Sequence, residues 1–195
     1  MDKKYIYALG FFDGVHLGHQ ALLEHCRKLA EEKGCLPGAI TFGTHPQTLT
    51  RGGAPGLINT PADRERLLRR FAHQVVTLPF DEHIRTMPWK DFLELLQKDY
   101  CAAGFVCGDD FRFGFKGLGN ADALESFCRE RALPFCRVPE QTLDGVRYPP
   151  PISARFWRRE VWRRRIASWA IPISSAVRWC PESSWAAGWE SPRRT

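Results

Sequence analysis

Along roughly the first 140 residues, short apolar runs alternate with longer stretches in which apolar residues recur at helical spacing. Lys4 to Leu9 (KYIYAL) alternates well enough to predict a strand, and Gly10 to Gly18 reads as a turn-rich loop. His19 to Lys33 carries Leu22, Leu23, Cys26, Leu29 and Ala30 on one helical face, and Gly34 ends that helix. A second strand is predicted over Gly38 to Phe42, a helix from Pro61 to about Phe71 and a strand over Gln74 to Leu78. Helix Pro88 to Tyr100 then precedes strand Gly104 to Cys107, and helix Asn120 to Arg131 precedes strand Phe135 to Val138. Regular strand and helix alternation of this kind specifies an α/β fold, a doubly wound parallel sheet with helices on both faces. In such sheets ligands sit beyond the carboxyl ends of the strands, in the loops.

Composition narrows this picture without overturning it. The chain has 195 residues and a mass of 22.3 kDa, with 44% hydrophobic and 26% charged residues, enough for one full domain and unlike a disordered, collagenous or coiled-coil chain. No apolar run approaches the roughly 18 to 20 residues that cross a bilayer. Met1-Asp2-Lys3-Lys4 leads straight into the first strand rather than into a signal-peptide core, so the expectation is a soluble, cytoplasmic protein with no membrane partner. Seven cysteines (26, 35, 101, 107, 128, 136 and 180) contain no C-x-x-C pair and sit among apolar or small neighbours. They read as reduced, mostly buried thiols, with neither a disulfide framework nor a zinc site.

Charge divides the chain in two. Residues 148–195 hold nine Arg, no Lys and three Glu, so the formal net charge of +6 belongs to this tail and residues 1–147 are neutral. Six of the seven Trp lie in the same tail, whereas every Leu precedes it. An Arg/Trp-rich segment can bind nucleic acid or a lipid surface. So abrupt a change of residue usage is unusual within a folded domain.

Two predicted loops carry most of the chemistry. The first, Gly10-Phe11-Phe12-Asp13-Gly14-Val15-His16-Leu17-Gly18-His19, joins a strand to a helix start, where free backbone N–H groups and the helix dipole favour an anion. Its glycines let a phosphate approach the backbone, and His16 and His19, three apart around Gly18, can face one phosphate chain from one side. An isolated H-x-G-H would be read as a capping loop with two solvent histidines; the preceding strand and the FDG tripeptide turn the reading to phosphate binding. Two histidines alone do not make a metal site, so no direct protein ligation of a metal is predicted. The second loop, Gly108-Asp109-Asp110-Phe111-Arg112-Phe113-Gly114, also leaves a strand end. Asp110 can orient a ribose hydroxyl or a metal-bound water, and Phe111 and Phe113 suit either the core or a platform for a flat ligand. His45-Pro46, after the second strand, is a weaker signal that reads equally as a structural turn.

The stretches GFFDGVHLGHQALL, TFGTHPQ, NTPADRERLL, PFDEHI with WKDFL, and GDDFRFGFKGLGNADAL resemble, in order and approximate spacing, the bacterial bifunctional riboflavin kinase/FAD synthetase family. The resemblance covers roughly residues 5 to 147. It implies the adenylyltransferase module, a Rossmann-like domain of the H-x-G-H nucleotidyltransferase superfamily that transfers AMP from ATP to FMN, giving FAD and pyrophosphate, with Mg2+ accompanying ATP. By the same resemblance His16 and His19 would be catalytic, and Gly10, Phe11, Asp13, Gly14, Gly18, Gly108 and Asp110 would bind ATP. His45, Pro46, Phe111, Arg112 and Phe113 would serve the flavin. The implied partners are the small molecules ATP and FMN rather than nucleic acid, and the sequence leaves the oligomeric state open. Two alternatives stand beside this reading: a different H-x-G-H nucleotidyltransferase, such as a cytidylyltransferase, and a non-catalytic nucleotide-binding remnant.

After Arg147 the family would show an SSTxIR motif and then a kinase module with an LGxPTAN signature. Here the chain reads Tyr148-Pro149-Pro150-Pro151-Ile152-Ser153-Ala154-Arg155. Joining the last base of each codon to the first two bases of the next tests a change of frame. Trp has the single codon TGG, so Trp-Ala and Trp-Glu conceal GGC and GGA, which forces glycine at the slots of Ala170, Ala186 and Glu190. The slots of Trp157, Trp169, Trp185 and Trp189 become NTG and admit Leu, which accounts for a tail rich in Trp and empty of Leu. With permitted third bases, Tyr148 to Ala154 conceals V-S-S-T-x-(I/L/F)-R, and Glu182 to Thr195 conceals GKQLGRxLGIPTAN. The expectation is therefore an FMN adenylyltransferase domain over 1–147 and an out-of-frame tail over 148–195, with no stable domain there. Loss of SSTxIR would impair adenylyl transfer, riboflavin kinase activity would be absent, and exposed Trp and Arg would make the tail disordered and sticky.

Overall fold

The computed structural model describes residues 3–44 and 57–139, together with the backbone of 142–143 and 146–147. The His45-Pro46 pair and the entire 148–195 tail lie outside the described residues.

Five parallel strands form the central sheet: β1 (Tyr5–Leu9), β2 (Leu36–Phe42), β3 (Gln74–Leu78), β4 (Ala102–Gly108) and β7 (Phe135–Val138), in the spatial order β3-β2-β1-β4-β7. Between β4 and β7 lies a small antiparallel hairpin, β5 (Arg112–Phe113) with β6 (Gly119–Asn120), and after β7 a second one, β8 (Thr142–Leu143) with β9 (Val146–Arg147). β1 is central, pairing with β2 from Tyr5↔Leu36 to Leu9↔Ile40 and with β4 from Tyr5↔Ala102 to Ala8↔Val106. The order of connection reverses across the β1/β4 boundary, so the loops that leave these two strands flank one crevice.

The twofold alternation of strand side chains builds two cores. Ile6, Ala8, Ala39 and Val106 face one side, where α1 (Leu17–Glu32) and α2 (Pro61–Leu68) cover them with Leu22, Leu23, Cys26, Ala30, Leu67 and Leu68. Tyr7, Leu9, Ile40, Phe42, Phe105 and Cys107 face the other. There α3 (Glu82–Thr86), α4 (Trp89–Tyr100) and α5 (Ala121–Glu130) cover them with Ile84, Phe92, Leu93, Leu96, Leu124 and Phe127. The doubly wound parallel sheet predicted from the pattern is the one observed.

Local chemistry sets the helix ends. α1 stops in a Schellman motif, with the Cys35 N–H donating to the Ala30 carbonyl, the Gly34 N–H donating to Glu31, and Gly34 at φ 64°. α2 starts at Thr60, whose hydroxyl oxygen accepts from the Asp63 N–H while its proton goes to the Asp63 carboxylate, with Pro61 in the first turn. That helix ends at Leu68 rather than near Phe71, because the Arg70 and Phe71 N–H groups tighten onto Leu67 and Leu68. Cys26, Cys107 and Cys128 are buried, and burial pushes each thiol up to about 12; Cys35 and Cys136 are half-buried, and Cys101 is exposed. No helix among the described residues is long and apolar enough to cross a membrane.

Gly38 marks where the sheet tolerates no side chain. A Cβ there would lie 2.4 Å from the Tyr7 ring, which cannot retreat because it is fully buried and its hydroxyl donates to the Tyr100 carbonyl at 3.0 Å. Gly38→Ala is therefore expected to lower stability by about 1–3 kcal/mol in urea unfolding. Gly34→Ala, in open space but at positive φ, should cost only about 1 kcal/mol.

Candidate functional site

The chain leaves β1 through a turn that few sequences adopt willingly. Phe12 (φ 59°), Gly14 (φ 70°) and Val15 (φ 40°) all take left-handed backbone angles. Each is held. The Phe12 and Val15 side chains are fully buried among Ile6, Leu22 and Leu23, and a Cβ on Gly14 would meet Ile58 at 3.0 Å. The Phe11 carbonyl accepts from the Thr41 hydroxyl at 2.7 Å, which ties the turn to the end of β2.

Asp13 is buried and faces the segment that precedes α2. Its carboxylate accepts from the Ile58 N–H (3.0 and 3.1 Å to the two oxygens) and the Asn59 N–H (3.1 Å). Of the residues assigned to ATP from the sequence, Asp13 is thus committed to joining the first loop to α2. Arg64, in the first turn of that helix, lies on the same side. It is fully buried, its guanidinium donates to the Phe42 carbonyl, and its Cζ sits 4.1 Å from the centroid of the Phe11 ring. Burial pulls its pKa below the ordinary value, and the charge of Asp13 pushes the other way.

The turn delivers His16 to the N-cap of α1, where its backbone is extended (φ −65°, ψ 172°). Its Nδ1 accepts from the His19 N–H at 3.4 Å, which leaves the ring proton on Nε2. The His16 and His19 rings stack with centroids 3.6 Å apart and planes 23° apart, and Phe12 meets His19 edge-on at 5.3 Å. Gly18 makes room for this pair: a Cβ there would lie 3.3 Å from the His16 ring. Burial pulls the His16 pKa down to about 4, opposed by the carboxylate of Asp110 in the second loop. Burial, reinforced by His16, holds His19 well below its ordinary value, and its Nδ1 is buried without a hydrogen-bond partner among the described residues. At neutral pH the two imidazoles are thus neutral groups at a helix N-terminus, where dipole and N–H groups favour an anion.

The second loop leaves the adjacent strand. Gly108 is half-buried and a Cβ there would lie 3.2 Å from Asp110 Oδ1; Asp110 itself is exposed beside His16. Arg112 is exposed and Phe111 half-buried. Phe113 is a core residue, 5% exposed and packed on Phe92 at 5.9 Å and Trp89 at 6.3 Å, with Phe111 stacked on it at 5.4 Å. Of the two roles open to these aromatics, Phe113 takes the packing one and Phe111 alone offers a ring toward the surface. Gly114 and Gly119 let the hairpin close on Trp89, with hypothetical Cβ contacts of 2.6 and 2.8 Å. Asp109 is paired with Arg137 of β7, which also reaches Asp122 at 2.6 Å. Among the described residues no three His, Cys, Asp or Glu side chains gather as a metal site.

The structure therefore brings Gly10, Gly18, His16, His19, Gly108 and Asp110 to one end of the sheet, and turns Asp13 and Phe113 inward. Thr41, Asn59 and Arg64 have no role in the sequence reading. Arg64 left one trace there, since it precedes Leu67, Leu68 and Phe71 by three, four and seven residues and so shares their apolar face.

A parallel sheet with an H-x-G-H helix start at its switch point defines an α/β domain of the nucleotidyltransferase type. The chain belongs to the FAD synthetase family, whose model matches residues 1–149. It is 34% identical over 126 residues to the bifunctional riboflavin kinase/FMN adenylyltransferase of Bacillus subtilis, a match over 63% of this chain and 40% of that protein. It is 29% identical over 140 residues to a chloroplastic FAD synthetase of Arabidopsis thaliana, over 68% of this chain and 36% of that one. The match thus spans well under half the length of these relatives. A crystal structure described as a macrolide-efflux protein from Streptococcus pneumoniae shares the fold, with a TM-score of 0.68 at 25% identity over 76% of this chain and 49% of that one.

The histidine pair has a measurable consequence. A histidine whose folded pKa is about 4, against an ordinary 6.5, favours the neutral folded state, so its contribution is complete above pH 6.5 and is lost as pH falls toward 4. The thermal midpoint should fall across that window, and His16→Asn should flatten the slope; an unchanged slope in the variant would contradict the burial of the neutral ring.

Proposed function

We propose that residues 1–147 are an FMN adenylyltransferase domain that transfers AMP from ATP to FMN. An oxygen of the FMN phosphate attacks the α-phosphorus of ATP, a new P–O–P bond forms, the bond bridging the α- and β-phosphorus breaks, and pyrophosphate leaves with FAD as the other product. One observation carries the reading: two stacked neutral histidines stand at the start of α1, with the charge of the exposed Asp110 from the second loop acting on His16, in a chain of the FAD synthetase family.

In-line displacement of this kind needs positioning and charge stabilisation rather than a covalent nucleophile. His16 and His19, with the first-turn N–H groups of α1, would donate to the phosphate oxygens, and Gly10 and Gly18 would let the triphosphate lie against the backbone, whereas Gly14 is buried against Ile58 and serves the turn. Gly108 and Asp110 would face the nucleotide, and Phe111 and Arg112 the flavin. Asp110 suits a hard cation that keeps most of its waters, and Mg2+ carried by ATP would supply neutralisation of phosphate charge there. Neutral imidazoles suit this role because phosphate oxygens raise the pKa of a nearby histidine, so the site takes up positive charge as the anion arrives.

Residues 148–195 read as sequence one base out of the family frame, on the forced glycines at the slots of Ala170, Ala186 and Glu190. They would supply no SSTxIR segment to the site, and transfer would be slow for that reason. ATP and FMN are the expected partners, without nucleic acid, and the thiol-rich body suits the reducing cytoplasm.

The test is FAD formation from FMN and Mg-ATP, resolved by chromatography, for the 195-residue chain and for one with the concealed frame restored. FAD from the restored chain is expected, with less from the other. His16→Gln and His19→Gln should each lower the rate about 10²–10⁴-fold. No FAD from either chain would overturn the assignment and favour another nucleotidyltransferase substrate.

A further inference from the structure

Arg64 is the one fully buried charged side chain among the described residues, and its bonding is incomplete. The guanidinium has one hydrogen-bond acceptor, the Phe42 carbonyl at the end of β2, while Nε and Nη1 are buried without a partner among the described residues. A buried cation left this poorly solvated is costly, and the charge of Asp13, whose carboxylate also accepts from the Ile58 and Asn59 N–H groups, offsets part of that cost. What the guanidinium does have is a face on the Phe11 ring, 4.1 Å away.

Phe11 is thereby gripped at both ends. Its carbonyl is bound by Thr41 and its ring lies under Arg64, which is itself bonded to the next residue of the same strand, Phe42. The residue that follows, Phe12, is the first left-handed position of the turn that carries His16 to the helix start. Left-handed angles at bulky residues persist only where their surroundings over-determine them. The planar, charged group over Phe11 is one part of those surroundings from outside the loop and its own strand, beside the Thr41 hydroxyl and the Ile58 and Asn59 N–H groups.

We propose that Arg64 is the positioning residue of the first loop: clamped between the Phe11 ring and the Phe42 carbonyl, it holds the turn at Phe12 to Val15 in the form that presents His16 and His19 to a phosphate chain. It acts through Phe11 and touches no reacting atom. The last clause rests on the proposed function; the holding of the turn does not.

Hydrogen exchange of the unliganded 195-residue chain reads the positioning directly at the Val15 N–H, which bonds across the turn to the Phe12 carbonyl at 3.2 Å. Arg64→Met, which keeps the volume and removes the planar cation, should speed exchange at Val15 at least about tenfold while leaving the Leu96 amide of α4 unchanged. Phe11→Leu should do the same, and the double variant no more than the worse single, since both remove one interaction. Affinity for Mg-ATP by calorimetry should fall about tenfold in each, with Arg64→Lys between wild type and Arg64→Met. Unchanged exchange at Val15 in a folded Arg64→Met chain, equal speeding at Val15 and Leu96, or additive losses would overturn the inference. Should Arg64→Met fail to fold, Phe11→Leu decides, faster exchange at Val15 supporting the clamp and unchanged exchange refuting it. A wild-type chain that binds no ATP, yet whose Val15 exchange responds to these variants, would refute the proposed function and leave the clamp standing.

Discussion

The site depends on a backbone constraint at the end of the central strand. Three left-handed residues within four positions, two of them bulky, cost about 1–2 kcal/mol each at the non-glycine positions. The bond from the Val15 N–H to the Phe12 carbonyl, inside the loop, offsets only part of that. The compensation comes from burying Phe12 and Val15 against α1, and from anchors that reach in from the β2 end and the α2 start, the Thr41 hydroxyl and the Ile58 and Asn59 N–H groups. The loop is therefore a tertiary object, built where three elements meet, and a rigid one.

Rigidity at that point fixes the electrostatics of the crevice. The turn hands His16 to the N-cap of α1 in the orientation that stacks it on His19, and Gly18 leaves the space the stack occupies. Burial keeps both rings neutral, while the helix end keeps the local potential favourable to an anion. The neighbouring strand contributes the opposite charge, Asp110, at the surface of the same crevice. An acidic group there fits the proposed nucleotide, whose phosphates a divalent cation would accompany.

Much of this was legible in the residues. The strands and the larger helices follow from apolar spacing, and the glycines with H-x-G-H mark the first loop because these residue types have few other reasons to gather after a strand. What escaped was set by contacts distant in sequence. The short α3 and the β5–β6 hairpin are too brief to show a period, and the hairpin depends on Gly114 and Gly119 closing on Trp89. A phenylalanine in the left-handed region carries no local signal. Asp13 reads as a ligand from its place in FDG, yet its carboxylate is taken up by amides 45 and 46 residues away. Arg64 looks solvated inside ADRER, and only its register with Leu67 and Leu68 hints at burial. Phe111 and Phe113, two positions apart and stacked on one side of the chain, differ in burial because Phe113 packs on Phe92 and Trp89 while Phe111 covers it from outside.

If the phosphate chain of a nucleotide meets His16 at the start of α1, nitrogen-detected NMR of the imidazoles registers it. Without ligand His16 should titrate at about 4. With saturating Mg-ATP its titration should move upward and both its ring and that of His19 should shift, because phosphate oxygens favour the protonated ring and occupy its donor. A His16 titration and ring shifts that stay the same at saturating nucleotide would place the phosphates elsewhere and contradict the account.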